Sequence, residues 1–280
     1  MQKYDGSNMI GQKELLSRID NLIAENKLPK FTILVGPRGC GKKTIIAHIH
    51  KQFGQGVIMN MGISVSDVRQ AVEQTQTVGG TTMFCTFADA DNMSLAAKNA
   101  LLKIVEEPPK NVYFIMTLES LSNTLETIKS RGTVFTIPPY TPTEIGEYAS
   151  QYRLNEAEMH VVADICETPG EVDMLRDSGI IAFDEYVKSV VDHITDVSGA
   201  NCFNIAKKIK FKDTDEGFDL RLFLKAFMTE CGYRMSENIT KYANAIKITT
   251  SRLQELNVTG IAKQNVFDMW ILDIRKEWFD

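Results

Sequence analysis

Residues 31–44 of the chain read Phe31-Thr32-Ile33-Leu34-Val35-Gly36-Pro37-Arg38-Gly39-Cys40-Gly41-Lys42-Lys43-Thr44. The first five residues are apolar or β-branched and predict a buried strand. The remainder follows the phosphate-binding pattern G-x-x-x-x-G-K-S/T at Gly36, Gly41 and Lys42. The residues after Thr44 have helical spacing, so the glycine loop lies at a helix N-terminus, where unpaired N–H groups and the helix dipole favour anions. The stretch therefore predicts an α/β fold that binds a polyphosphate.

The loop departs from the pattern at one position. Lys43 stands where a serine or threonine hydroxyl normally holds the magnesium ion used in phosphoryl transfer. The same loop thus predicts nucleotide binding and casts doubt on hydrolysis. The predicted nucleotide-binding residues in it are Gly36, Pro37, Arg38, Gly39, Cys40, Gly41, Lys42, Lys43 and Thr44.

Composition limits the remaining possibilities. The chain has 280 residues, 44% of them hydrophobic and 24% charged, as in ordinary globular proteins of two or three domains. Its formal net charge of −5 gives no general attraction to nucleic acid, so DNA contact must come from a local patch or from partner subunits. The five cysteines are widely spaced without a C-x-x-C pair, which predicts reduced thiols in a cytoplasm and no metal site. We expect no membrane segment and no signal peptide.

The pattern along the chain predicts three domains. Residues 1–137 alternate helix patterns with five predicted strands, at 31–35, 57–59, 82–87, 112–116 and 133–137, which is typical of a parallel sheet covered by helices. Ser66 and Ser94 are the expected caps of the helices that follow the second and third strands. Pro138-Pro139-Tyr140-Thr141-Pro142 is the clearest linker, and strand signals nearly vanish after it. We expect short helices over 138–182 and a longer helical domain over 183–280. The apolar face of the last helix predicts either that domain's own core or packing against other subunits.

Several segments beyond the loop carry a family resemblance. The third predicted strand ends in Ala88-Asp89-Ala90-Asp91, where phosphate-loop ATPases carry an acidic pair. Two further segments come after this strand, Ala97 to Pro109 and Ser130-Arg131-Gly132, and two come before it, Ile10-Gly11-Gln12 and Ile63 to Arg69. Their order and spacing match those of a known family. In this the chain resembles the small subunits of AAA+ sliding-clamp loaders, of the DNA polymerase III delta-prime or gamma type or the replication factor C type. The resemblance implies a AAA+ core with a parallel sheet, a helical lid and an all-α collar, and adds Ile10 to the nucleotide-binding residues.

Four positions depart from the family pattern in the same direction. Lys43 is one, and the family's acidic pair falls on Ala88 and Asp89, which removes the magnesium carboxylate and shortens the activating glutamate. Glu119 takes the place of a polar residue near the γ-phosphate, where a carboxylate would repel it. Glu171 replaces the arginine that begins the lid helix. The resemblance therefore implies a site where ATP binding is plausible and magnesium-dependent hydrolysis is doubtful.

The residues leave some roles open. Lys43 either neutralises phosphate charge where magnesium would lie or fills the pocket against Glu119 or Glu171. Asp91 either replaces the missing magnesium ligand or caps the next helix, and Arg176, more than a turn beyond Glu171, is a weak substitute for the missing arginine.

Arg131, unlike these four positions, retains a catalytic residue of the family pattern. In the family the Ser-Arg-Cys segment presents an arginine to the ATP of the adjacent subunit, where it stabilises charge in the transition state. Ser130-Arg131-Gly132 keeps the serine and the arginine, while glycine replaces the cysteine. The resemblance thus implies a catalytic arginine finger in trans at Arg131, as in the delta-prime position of bacterial loaders. The zinc cysteines common in those subunits are absent, so the layout is closer to archaeal or phage-type small subunits.

The resemblance also implies partners. These are other clamp-loader subunits in a hetero-oligomer, a sliding clamp, and primer-template DNA. The DNA-contact candidates are Ser66 and Arg69 on the second helix of the core and Lys98 on the helix after the acidic strand.

The chain is thus predicted to assist ATP-dependent clamp loading in DNA replication, in the cytoplasm or, if viral, the host cytoplasm. One alternative is a competent ATPase subunit that uses Asp89 or Asp91 for magnesium and Thr44 for the displaced hydroxyl. Another is a AAA+ branch-migration or remodelling motor, which leaves the Ala97–Pro109 segment unaccounted for.

Overall fold

The computed structural model describes residues 10–76, 81–194, 205–212, 216–258 and 260–279. The chain divides into two compact units, Met1–Tyr140 and Thr141–Asp280. The division falls inside the proline-rich segment at 138–142. The further boundary that the sequence predicts between lid and collar, at 182/183, falls inside a helix and stays a prediction.

The first unit is a parallel sheet between helices. Its elements in chain order are α1 (Lys13–Ala24), β1 (Phe31–Val35), α2 (Lys42–Phe53), β2 (Val57–Met61), α3 (Val65–Gln76), β3 (Met83–Phe87), α4 (Leu95–Glu106), β4 (Val112–Leu118), α5 (Glu126–Lys129) and β5 (Thr133–Thr136). The five strands are ordered β2-β3-β4-β1-β5, and all of them are parallel. The α/β fold with a parallel sheet that the sequence predicts is confirmed.

The apolar strands are explained by burial on both faces of the sheet. Ile33 points into a core shared with α3 and α4, where Val68 and Leu101 are fully buried. Its neighbour Leu34 points to the opposite face, which α1 and α2 cover with Ile19 and Ile45. Alternation along one strand therefore fills two cores, and the carboxyl ends of the strands are left to form a site.

Helix α3 begins differently from the sequence-based expectation. Ser66 was the expected cap, but Ser64 holds this place: its Oγ accepts from the backbone N–H of Asp67, and its own N–H donates to Asp67 Oδ2. This reciprocal arrangement satisfies two helix-end donors. The bonds from Ser64 lower the pKa of Asp67. Ser66 lies in the first turn instead, whereas Ser94 caps α4 as predicted.

The second unit is mainly helical. Its elements are α6 (Pro142–Ser150), α7 (Glu156–Ile165), α8 (Pro169–Ser178), α9 (Ile180–His193), β6 (Ile209–Lys210), β7 (Phe218–Asp219), α10 (Leu220–Tyr233), α11 (Ile239–Glu255) and α12 (Lys263–Phe279). The apolar face of α12 lies in the unit's own core, since Trp270 packs edge-on against Phe223 and Phe227 and donates from Nε1 to Thr249. Met269 and Leu272 on the same helix are exposed.

Within the described ranges, no helix combines the length and apolar character that a membrane span requires. Cys40, Cys85, Cys166 and Cys231 are buried free thiols, and Cys202 lies outside the described residues.

Candidate functional site

The predicted phosphate-binding loop lies at the carboxyl end of β1, which pairs with β4 and β5 in the sheet. The backbone N–H of Gly36 donates to the carbonyl of Leu118 at 3.1 Å, which ties the start of the loop to the end of β4. Gly39 and Gly41 have φ angles of 81° and 92°, which glycine adopts far more readily than other residues. The loop ends at the N-terminus of α2, whose first N–H groups have no acceptor within the helix. The backbone is thus suited to receive an anion.

The two lysines of the loop have different surroundings. Lys42 is 9% exposed, and its Nζ donates to the loop's own carbonyls, at 2.6 Å to Gly36 and 2.9 Å to Pro37. These bonds use two of the three N–H groups of its ammonium group within the loop itself. Lys43 is exposed and makes no ion pair with any residue in the described part of the chain.

Cys40 anchors the underside of the loop. A Cβ atom at Gly36 would lie 2.8 Å from Cys40 Sγ, so the loop is closely packed at this point. Tyr140, at the end of the first unit, donates from its hydroxyl to the Cys40 carbonyl at 3.0 Å. Burial raises the pKa of the Cys40 thiol; Lys42 opposes this shift and Glu119 adds to it. Glu119 is therefore close enough to act electrostatically on the loop.

Of the two acidic residues after β3, Asp91 accepts several hydrogen bonds through its carboxylate, whereas the carboxylate of Asp89 is exposed. Asp91 is 9% exposed, and its oxygens accept from the backbone N–H groups of Glu119 (2.8 Å) and Ser120 (3.3 Å) and from Asn123 Nδ2 (3.0 Å). Neither open role predicted for Asp91 fits, because it joins the ends of β3 and β4 instead of capping α4 or facing solvent. Asp89 is exposed, has φ 52°, and donates its N–H to Thr117 Oγ1.

These residues offer few ligands for a magnesium ion. Lys43 supplies no hydroxyl, Ala88 supplies no carboxylate, and the three donors to Asp91 occupy its oxygens. Asp89 is left as a single exposed carboxylate just after β3. Across the described ranges, no group of three or more His, Cys, Asp or Glu side chains gathers as a metal site.

Glu171, the fourth departure, is held inside the second unit. It is 5% exposed, and its carboxylate lies 2.7 Å from Lys225 Nζ on α10 while accepting from the Glu167 N–H at 2.8 Å. Burial alone would lower the pKa of Lys225, but Glu171 and Glu167 outweigh it and raise that pKa. Both charges are therefore satisfied within the unit, and the sign reversal at position 171 has a structural function.

Arg176 is also engaged. Its guanidinium pairs with Asp177 at 2.7 Å, lies 3.8 Å from Asp173, and stacks over the ring of Tyr152. The role of a substitute for the missing lid arginine, suggested by the sequence, therefore has a competing local explanation.

Arg131 lies on the surface of the first unit, just after α5. Its side chain is 36% exposed, with Nη1 donating to the Thr127 carbonyl at 2.9 Å and Nη2 lying 2.7 Å from Glu106 Oε1. The next residue, Gly132, is in close contact with β1: a Cβ atom there would lie 2.6 Å from Cδ1 of Ile33. The space that a side chain at position 132 would need is filled by Ile33.

The DNA-contact candidates are all in the first unit but have different environments. Ser66 and Arg69 are exposed on α3, and the Ser66 hydroxyl shares a hydrogen bond with Ser64. Lys98 is only partly exposed, and its Nζ donates to the Asn123 carbonyl at 2.5 Å. Ile10 is half-buried ahead of α1, where Gln12 donates to the Pro138 carbonyl at 2.9 Å.

Several residues that shape the site had no role in the sequence-based prediction. They are Tyr140, Glu106, Asn123 and Lys225, each of which directly contacts a site residue that is distant from it in sequence. No local sequence motif predicts contacts between residues so far apart in the chain.

Comparison with known proteins supports the resemblance. Residues 55–141 match the family described as DNA polymerase III, delta subunit. Replication factor C subunit 3 of Schizosaccharomyces pombe is 29% identical over 160 residues, which cover 52% of this chain and 46% of the relative. The replication factor C small subunit of Archaeoglobus fulgidus is 30% identical over 145 residues, covering 47% and 44% of the two chains. The chain spans about half the length of the curated relatives that it matches.

Solved structures agree on the fold. A DNA polymerase III gamma subunit-related protein from Thermotoga maritima superposes with a TM-score of 0.51 at 11% identity, covering 94% of this chain and 99% of the other. A RuvB mutant from the same organism superposes with a TM-score of 0.50 at 14% identity, covering 96% and 85%. Identities this low show the fold alone, and the narrower assignment comes from the sequence relatives and motifs. Together these findings support the resemblance of the chain to the small subunits of AAA+ clamp loaders.

Proposed function

We propose that the chain is a sliding-clamp-loader subunit whose own nucleotide site is impaired and whose Arg131 acts on ATP bound by the neighbouring subunit. The observation that carries the proposal is a contrast between two charged groups in the first unit. Asp91, the buried acidic residue after β3, is occupied by three N–H donors, whereas Arg131 is a third exposed on the surface. The carboxylate of Asp91 is thus not available to this chain's own nucleotide site, whereas the guanidinium of Arg131 is accessible to a neighbouring subunit.

The home site retains the means to bind a polyphosphate. The N–H groups at the start of α2 and the glycine conformations suit anion binding, and Lys42 supplies a cation once it exchanges two carbonyls for phosphate oxygens. Hydrolysis is impaired because Ala88 and Lys43 supply no magnesium ligand. Glu119 opposes the γ-phosphate charge. This subunit therefore binds nucleotide weakly and turns it over slowly or not at all.

Arg131 supplies the chemistry in trans. A guanidinium that reaches the γ-phosphoryl oxygens of a neighbour's ATP neutralises charge that develops there in the transition state. The assembly is a hetero-oligomer of loader subunits that opens a sliding clamp and places it on primer-template DNA. Backbone phosphates of that DNA contact the start of α3 near Ser66 and Arg69, with Lys98 nearby on α4, in a sequence-independent manner.

The test compares two substitutions in the complex that co-purifies with the tagged chain. Arg131→Ala is expected to lower DNA- and clamp-stimulated ATP turnover about a thousand-fold or more at the site it serves. Lys42→Ala is expected to leave turnover of the complex within about twofold, because this loop does not hydrolyse ATP. The opposite pattern, with Lys42 essential and Arg131 dispensable, overturns the proposal.

A second candidate function is supported by Asp89. Its exposed carboxylate makes no hydrogen bond or ion pair with the described residues, so it is free to hold magnesium beside Thr44 in a competent ATPase subunit. Nucleotide binding to the isolated chain, measured with and without magnesium, separates the two. Magnesium-dependent affinity that Asp89→Ala abolishes favours the competent subunit, and magnesium-independent binding favours the impaired one.

The branch-migration motor rests on the fold alone. A pull-down of the chain's complex with a purified sliding clamp discriminates it, because a loader retains the clamp in the presence of ATP and a branch-migration motor does not.

A further inference from the structure

The side chain of Arg131 is held at two points by separate helices. Glu106 is the last residue of α4, and its Oε1 lies 2.7 Å from Nη2 of Arg131. Thr127 belongs to α5, and its carbonyl accepts from Nη1 at 2.9 Å. The hydrogen bond to Thr127 uses one of the five N–H groups of the guanidinium, the ion pair with Glu106 lies at the other terminal nitrogen, and further N–H groups are left for another ligand. Two anchors restrict the orientation of the planar group more than one does.

Stability does not account for Glu106. Its side chain is 48% exposed and that of Arg131 is 36% exposed, and ion pairs at such positions contribute little to the folded state. A carboxylate in the last turn of a helix also opposes the helix dipole, so α4 gains nothing from an acidic residue there. The pairing with Arg131 is the favourable interaction that Glu106 makes.

We propose that Glu106 is a positioning residue for Arg131: it fixes the guanidinium in advance, so that the remaining N–H groups are available to the γ-phosphate of a neighbour's ATP. This inference rests on the proposed function of Arg131. A long flexible side chain loses conformational freedom when it reaches a transition state, and an anchor that restricts it beforehand lowers that cost. The effect is therefore expected on the chemical step and not on ATP binding.

The experiment measures steady-state ATP turnover of the intact complex assembled with each variant. Glu106→Ala is expected to lower kcat about 5- to 20-fold while KM for ATP changes less than about twofold. Glu106→Gln keeps an acceptor oxygen toward Nη2 and is expected to restore at least half of the wild-type kcat. Glu107→Ala is the matched control, because Glu107 is the adjacent exposed acid and has no polar partner in the described part of the chain.

A double-mutant cycle decides whether Glu106 acts through Arg131. In the Arg131→Ala background, Glu106→Ala is expected to cause no further loss of kcat, since the side chain that it positions is gone. Equal losses in both backgrounds, or no loss in the wild-type background, overturn the inference. If Arg131→Ala itself leaves turnover intact, the proposed function fails instead, so the two failures are distinguishable. Co-purification and thermal unfolding of each variant establish that it folds and assembles.

Discussion

The loop end of the sheet and the surface around Arg131 belong to the same unit, but their charged side chains differ in how far they are bonded within the chain. At the loop end, Lys42 donates to two carbonyls of its own loop and Asp91 accepts three N–H groups. At the surface, Arg131 donates to one carbonyl, pairs with Glu106 and remains a third exposed. In one region the chain satisfies its own charges, and in the other it leaves donors for a partner.

This difference shows how to judge the residues of a site whose sequence motif is incomplete. A motif shows only that a residue type is present, whereas its hydrogen bonds show whether the charge is available. Glu171 in the second unit follows the same inward pattern as Asp91, because Lys225 and a backbone N–H occupy its carboxylate.

The largest effect is expected from breaking the inward pair in the second unit. Lys225→Ala leaves Glu171 buried and unpaired, so we expect the free energy of unfolding to fall by about 3 kcal/mol. Both tryptophans, Trp270 and Trp278, lie in this unit, so urea unfolding followed by tryptophan fluorescence reports on it. Lys188→Ala, which removes an exposed pair with Asp184, is the control and is expected to cost less than about 0.5 kcal/mol. Equal losses would show that Glu171 is not effectively buried.

A comparison of the two acidic residues after β3 sharpens the contrast within the first unit. Asp91→Ala removes the acceptor of three donors and is expected to lower the free energy of unfolding by about 2 kcal/mol. Asp89→Ala removes an exposed carboxylate and is expected to change it by less than about 0.5 kcal/mol. Thermal unfolding followed by circular dichroism measures both. A destabilising Asp89→Ala would contradict its placement as the free carboxylate.

A smaller effect is expected at Glu119, which acts on the loop through its charge. Glu119→Gln is expected to tighten binding of a fluorescent ATP analogue to the isolated chain about 5-fold, equivalent to about 1 kcal/mol, because a negative charge facing the phosphates is removed. Glu126→Gln, an exposed change on α5, is the control. Unchanged affinity in Glu119→Gln would place that carboxylate away from the phosphates.

The smallest effect concerns pH. The pKa of Lys225 in the folded chain lies above the ordinary lysine value of 10.5, which applies to the unfolded chain. Its protonation therefore stabilises the fold fully below about pH 10 and loses this effect as the pH rises through the folded pKa. The difference in unfolding free energy between wild type and Lys225→Met is expected to stay constant from about pH 7 to 9 and to shrink above about pH 10. Urea titrations by tryptophan fluorescence measure it, and a difference that grows with pH would reverse the assigned direction.

The sequence predicts the five strands of the first unit well because burial on both faces leaves short apolar runs. It also predicts the loop, since a glycine pattern between strand and helix is a local signal. The cap of α3 was misplaced by two residues: Ser64 and Asp67 stand three apart, and this spacing is the signal that favours Ser64 over Ser66.

The charge partners in the site are beyond local patterns. Asp91 meets Asn123, and Glu171 meets Lys225, across 32 and 54 positions of the chain. Only the packing of the elements brings them together. The sequence could therefore show that catalytic residues are missing, but not which structural roles the replacements had acquired.

Gly132 and Ile33 restrict which residues can occupy each other's positions. The family's cysteine after the arginine is absent here, and the side chain of Ile33 occupies the space into which a Cβ at position 132 would project. A side chain at position 132 meets an occupied volume, so a cysteine fits there only with a smaller residue, or a different rotamer, at position 33. The turn that carries Arg131 is therefore packed directly against β1, so a change at position 132 requires a matching change at position 33.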